Sequence, residues 1–296
     1  MLELDHFSSG LANPVLAYVM SVIGSALGLR SAVHARASRR PGGWLFAAAV
    51  ALGGCGIWVM HFIAMLGFSI EGTRIRYDMP TTLLSAAIAI AVVWIGLSIV
   101  VRVRREAVGL PIGGAITGLG VAAMHYLGMH AMHSGAHIEY RPPLVALSIV
   151  IAVVAATAAL WFMLHVQGFF ASIGTALVMG VAVCGMHYTG MAAMRAHSMN
   201  HLMPESGSDP IQLLTPLILA VTVVTMTLIV VVGLAEIESS TQRELPEIDL
   251  DLVDSGRNWP RLDPNADIPR PEPTASLRTF ARATPKPSSG RQPAQP

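Results

Sequence analysis

The stretch MHYTGMAAM, Met186–Met194, lies within an apolar run long enough to cross a membrane. A histidine is costly there, since lipid offers it no hydrogen-bond partner, and an ionisable side chain at that depth marks a functional site by default. Nearly the same string recurs as MHYLGMHAM at Met124–Met132, and a shorter form, MHFIAML, stands at Met60–Leu66.

Working outward, composition fixes the solvent. The chain is 53% hydrophobic and 12% charged, whereas soluble domains carry about a quarter charged residues. A window of about 20 residues, the length that crosses the hydrocarbon core, finds seven candidate spans at 12–33, 44–68, 81–101, 110–132, 143–165, 170–194 and 211–235. Pro14, Pro111, Pro143 and Pro216 sit near helix starts, where a missing N–H costs least. Alternation of period two is absent, which argues against a transmembrane barrel. The expected fold is therefore all-α, a polytopic membrane helix bundle of seven transmembrane helices.

Orientation follows from arginine. Arg30, Arg36, Arg39 and Arg40 follow the first span and Arg102, Arg104 and Arg105 the third, while the first ten residues carry no Lys or Arg. The positive-inside rule places the N-terminus outside and the C-terminus in the cytoplasm. Arg74 and Arg76, in a loop assigned outside, run against the rule, as does the Arg-free loop between spans five and six. The first span has no basic n-region, so it reads as a retained helix and not a signal peptide. Residues 1–235 form the expected membrane domain. Residues 236–296, with ten prolines and little apolar sequence, cannot offset their ordering entropy by burial and are expected to be a disordered cytoplasmic tail.

Aligning His61, His125 and His187 brings Gly54, Gly118 and Gly180 into register seven residues earlier and Met65, Met129 and Met191 four later. The aromatic after each histidine also recurs, as Phe62, Tyr126 and Tyr188. The first six spans thus read as three internal two-helix repeats, with the seventh helix as an extra. At about 100° per residue, the +4 and +7 positions share the histidine's face. His125 projects with Met129 and Met132, and His187 with Met191 and Met194, whereas Phe68 replaces the third member beside His61 and Met65. The small residues at +3, Ala64, Gly128 and Gly190, are expected to let helices approach closely. All three histidines fall late in even-numbered spans, so their faces share one level near the outer surface. His130, His133, His137, His197 and His201, with Met199 and Met203, cluster at the same end.

Thioether sulfur selects Cu(I), imidazole suits copper in either state, and copper heads the affinity order of divalent first-row ions. No Asp or Glu lies inside the seven spans, which leaves hard cations without their oxygen ligands. Copper is the expected metal. Cys55 and Cys184, both within spans, do not form a secreted disulfide framework, and Cys184 is read as packing before ligation.

The threefold MHF…MHY…MHY pattern on alternate spans, followed by a seventh helix, closely resembles the MHYT domain, a bacterial integral-membrane sensory module, over residues 7–235. The resemblance implies copper held by Met and His, sensing of a diatomic gas (oxygen, carbon monoxide or nitric oxide), and residence in the bacterial inner membrane. By position it implicates Met60, His61, Met124, His125, Met186 and His187 as ligands, with Met65, Met129 and Met191 as further candidates. The methionine before each histidine is the family's ligand, while the face geometry favours those at +4 and +7, and both readings stay open. Phe62 departs from the motif tyrosine. Many relatives continue into cyclic-di-GMP synthesis or degradation domains that this chain lacks, so the expected partner is a cytoplasmic signalling protein in trans, and no nucleic acid. No buried carboxylate, Ser-His-Asp set or phosphate-binding glycine loop occurs, and a non-enzyme is expected. Two alternatives compete with the sensor: copper transport, which needs soft ligands along an inward path, and haem-based electron transfer on paired histidines.

Overall fold

The computed structural model describes residues 3–244 except 6, 7, 9, 72, 104, 135 and 199–209. His201, Met199, Met203 and the expected tail beyond Glu244 lie outside the described residues. Seven helices are long and apolar enough to span a membrane: α1 (Ala12–Ala37), α2 (Pro41–Leu66), α3 (Met79–Arg102), α4 (Glu106–His130), α5 (Pro142–His165), α6 (Phe169–Met191) and α7 (Pro210–Glu244). The bundle matches the expectation, and α7 runs nine residues past the span expected to close at 235. Large apolar residues such as Leu119, Val154, Val181 and Leu219 face outward and exposed, the band that acyl chains cover.

Each of α1 to α6 packs on its neighbours in chain order, and α6 returns to α1, closing a ring of six. Helix α7 packs outside it, against α1 and the middle of α2. Six short strands that the sequence reading did not anticipate close the end where the histidines lie: β1 (Leu4–Asp5), β2 (Ser69–Ile70), β3 (Arg76–Tyr77), β4 (Met132–His133), β5 (Ala136–Tyr140) and β6 (Met194–Ser198). They pair antiparallel as β1 with β2, β3 with β4 and β5 with β6. In each case the strand before a helix pair binds the strand after it. The repeat is thus a closed strand–helix–helix–strand unit, each pair of backbone edges satisfying its own hydrogen bonds outside the hydrocarbon. Asp78 caps α3, accepting from the Thr81 N–H at 3.0 Å and from the Thr81 hydroxyl. Those bonds hold its carboxyl below the usual range.

The first unit departs from the other two in its helix winding. Residues Val50–Trp58 of α2 are wound as a π-helix between two α-helical pieces, while α4 and α6 are α-helical throughout. A π segment accommodates an extra residue within a helix, and its consequence is visible at the helix crossings. A Cβ on Gly118 would lie 2.8 Å from Ala152 O on the next unit's first helix. The corresponding contact in the first unit is made by Gly53, whose Cβ would lie 2.6 Å from Ala89 O, and not by Gly54, which has 3.5 Å to Ile90. The crossing glycine is therefore eight residues before His61 but seven before His125. The sequence register on Gly54 is corrected by one, and the π segment absorbs the difference so that both histidines reach the same level.

This register has a direct test. Gly53→Ala forces α2 off α3 and destabilises by about 1–3 kcal/mol, the usual cost of overpacking. Gly54→Ala is tolerated and gains about 0.5–1 kcal/mol from helix propensity. Thermal unfolding of the detergent-solubilised variants distinguishes them, and the reverse order would contradict the π register.

Candidate metal centre

The ring brings the three repeated histidines to one point. His61 Nδ1 lies 3.0 Å from His187 Nδ1 and 3.2 Å from His125 Nδ1. Ring centroids are 5.0, 5.0 and 5.1 Å apart and the rings stand nearly edge to face. Each side chain is buried to 1% exposure. Among the described residues these three form a group of His, Cys, Asp or Glu able to hold a metal ion.

The fit to an ion follows from donor chemistry. Two imidazole nitrogens bound about 2.0–2.1 Å from one ion lie about 3.3–3.6 Å apart, close to the separations found. Without an ion the triangle is frustrated. Each Nδ1 either carries a proton or offers a lone pair, so at least one of three edges must oppose like partners. An ion accepting three lone pairs satisfies all three. In addition, the Nε2 atoms of His61 and His125 are buried without a hydrogen-bond partner, which places the polar commitment of these rings on their Nδ1 side.

The rings are seated by the small residues at +3, though not in the way the sequence suggested. A Cβ on Gly128 would collide with His61 Nε2, and one on Gly190 with His125 Nε2. These glycines make room for the imidazole of the preceding unit; backbone approach is the task of Gly53 and Gly118, while Gly180 meets the side chains of Val22 and Tyr18. His61 and His125 thus each depend on a glycine of the next unit for their position.

Layers along the bundle axis enclose the triad. Met65, Met129 and Met191 at +4, and Phe68, Met132 and Met194 at +7, are all buried. Ile57, Val121 and Val183 stand one turn before the histidines. Met60, Met124 and Met186 are buried as well. Met60 packs with Ala17, Ala64, Cys184 and Tyr188, and that setting agrees with a packing role for Cys184. Among the described residues, the outer histidines do not join the triad. His137 and His197 are cross-strand partners, His137 lies 3.8 Å from Glu139, and His133 Nδ1 contacts Ala131 O at 3.1 Å.

The aromatic after each histidine anchors it to the next unit. Tyr126 shares a 2.6 Å hydrogen bond with Ser148 on α5 and packs edge-on to Tyr140 at 5.8 Å; burial pushes the Tyr140 phenol up to about 12. In the first unit Phe62 packs on Tyr77 at 6.0 Å. There the matching serine, Ser85 on α3, is taken by Trp58, whose indole N–H donates at 2.9 Å. Trp58 lies one turn before Phe62 and replaces the missing phenol. The sequence reading missed this exchange, although Ser85 and Ser148 stand 63 residues apart, one repeat length.

A family model described as MHYT, a bacterial signalling protein N-terminal repeat, matches residues 54–111, 118–176 and 180–239. The chain is similar to a bifunctional diguanylate cyclase/cyclic di-GMP phosphodiesterase of Pseudomonas aeruginosa, MucR. The two are 41% identical over 174 residues, 57% of this chain and 25% of that protein. It is similar also to the cyclic di-GMP phosphodiesterase NbdA of the same organism, 39% identical over 51% of this chain and 20% of that protein. With the signaling protein YkoW of Bacillus subtilis it shares 32% identity, over 52% of this chain and 20% of that protein. The matched stretches span a quarter or less of these relatives. No solved structure matches the chain. Three matched repeats, each holding one of the three histidines that meet at a common centre, establish that this multi-pass membrane chain belongs to the MHYT family of bacterial signalling proteins.

Proposed function

We propose that the triad holds a copper ion and that the loaded domain is a receptor for a diatomic gas. The observation that carries this reading is the convergence of three buried Nδ1 atoms from three separate helices at 3.0–3.2 Å. Bound copper would supply a soft, neutral-ligand Lewis-acid centre with affinity for small molecules that accept its d electrons. His61, His125 and His187 hold the ion, and Met65, Met129 and Met191 stand where a thioether could join them. Met60, Met124 and Met186 remain candidates through the reach of a side chain with three rotatable bonds. Around them the bundle excludes water and competing oxygen ligands.

The histidine end lies outside and the arginine-bearing turns and the tail lie in the cytoplasm, on the positive-inside argument. The route to that side runs through α7. Cys55, within the π segment, accepts a hydrogen bond from Thr225 of α7 at 3.4 Å. Glu236 of α7 binds Arg30 and, at 2.9 Å, His34 of α1. A small shift of His61 therefore reaches α7 along α2 and through the Cys55–Thr225 contact, while Glu236 ties the far end of α7 to α1. The receiving partner is a cytoplasmic signalling protein, and the relatives whose names specify cyclic di-GMP turnover suggest that chemistry for it. The domain acts as a sensor and catalyses no reaction itself.

Haem between paired histidines is disfavoured by the rings themselves, since Nδ1 atoms 3.0 Å apart leave no slot for a porphyrin plane. Transport is disfavoured by the apolar layer at Ile57, Val121 and Val183, which offers no ligand ladder inward.

In purified protein loaded with copper and washed, His125→Ala with His187→Ala removes bound copper while leaving membrane insertion intact. Elemental analysis with optical and EPR spectra, before and after oxygen, carbon monoxide or nitric oxide, reads both binding and response. Unchanged copper per chain in the double variant would overturn the site. Gly128→Ala, which displaces only the ring of His61, weakens copper binding about 10–100-fold, the range found for residues that orient metal ligands. Competition against a copper chelator measures it.

A further inference from the structure

Inward of the triad, between the helices, the structure holds a partly open space of about 70 Å³. Its lining includes Ile57, Val121 and Val183. Each of these stands four residues before one of the three histidines, on all three helices at once. Four residues are one turn, about 6 Å of rise. The space therefore lies one turn below the triad on the side facing the membrane interior, and Met186, next to His187, borders it as well. Alanines of α5, among them Ala152, Ala156 and Ala159, form the far wall and leave it open by their small size.

The chemistry of the walls determines what can occupy it. The lining is aliphatic apart from Phe162, two methionines and Thr117, and the Thr117 hydroxyl is directed to Val92 O at 3.3 Å. A buried water needs two to four polar partners, and apolar cavities of this kind stay dry yet accept benzene or xenon. The opposite face of the triad is closed by the buried residues at +4 and +7. A small molecule approaching the Nδ1 cluster thus meets packed side chains from the strand end and vacant apolar space from below.

We infer that this space is a docking chamber for a neutral, apolar molecule of diatomic size, which reaches the triad from the lipid side through it. Such molecules partition into hydrocarbon, so the bilayer concentrates them at the walls of the bundle. The chamber holds them one turn from the triad, beside Met186, while excluding water and ions, which lack partners there. Its existence is independent of any metal; its purpose rests on the receptor reading given above.

Xenon tests the chamber without metal. Crystals of the copper-free protein pressurised with xenon should show an anomalous peak between Val121, Val183 and Ala159. Val121→Phe should abolish that peak, and Ala159→Leu, which fills the far wall away from the histidines, should abolish it independently should the first variant fold poorly. Absence of xenon from the chamber of the unmodified protein would overturn the inference. In copper-loaded protein, carbon monoxide should bind at least 10-fold more slowly to Ala159→Leu at unchanged copper content. An unaltered rate would overturn the access route. Xenon seated in the chamber of a protein that binds no carbon monoxide would leave the chamber standing and remove the receptor reading instead.

Discussion

Everything in this domain is arranged around one electrostatic constraint: three imidazoles taken out of water and pressed together by their nitrogens. Burying an imidazole takes its nitrogens out of water, at a cost on the order of 1–3 kcal/mol where a nitrogen finds no partner, and three leucines would fill the same place without that cost. Convergence at 3.0–3.2 Å compounds the cost, because like partners must meet on at least one edge. A cation is the partner that resolves every edge together. The rest of the bundle follows from holding that geometry: glycines that seat the rings, strands that fix each helix end, and apolar and thioether layers that keep out competing ligands.

Threefold repetition is an economical way to build such a centre. One unit brings one histidine, and closing the ring brings three to the axis. The closure is cooperative across units, since Gly128 positions His61 and Gly190 positions His125. It also explains the short strand pairs. Each ties the first and last backbone segments of its own unit, so the helix pair is a fixed hairpin before it meets its neighbours. Register between neighbours is then set by glycine crossings, where backbones nearly touch.

Much of this was legible in the sequence. Length and polarity of the apolar runs gave the spans, because hydrocarbon thickness leaves little freedom, and the repeat of His61, His125 and His187 identified the centre, because helical periodicity carries side-chain direction. The strand pairs were not legible, since four of the strands are two residues long and the other two only five, too short for a period to stand out. The glycines at +3 were read as helix contacts because sequence gives the face of a residue but not the identity of its neighbour across the ring. The π segment escaped because it changes hydrogen bonding without changing composition. Its trace, the three glycines of the run Gly53-Gly54-Cys55-Gly56 where the other units hold two (Gly118, Gly120) and one (Gly180) in the same register, is intelligible only once the crossings are known.

The unit that departs from the pattern is also the unit that meets the seventh helix. In the first repeat the motif tyrosine is Phe62, its serine is held by Trp58, and the helix above His61 is wound as π. The same segment touches α7 through Cys55 and Thr225. A π turn is held by fewer well-aligned bonds than an α turn and marks functional positions in helices disproportionately. Placing it between the triad and α7, among the described residues the one helix outside the ring, makes the first unit the softest of the three supports. Strain imposed at the centre would then relax preferentially along α2 and not be shared equally by α4 and α6. A strictly symmetric ring could hold an ion equally well but would have no preferred direction in which to report it. On the receptor reading proposed above, the broken symmetry of the first unit would provide that direction, and it would lead to α7.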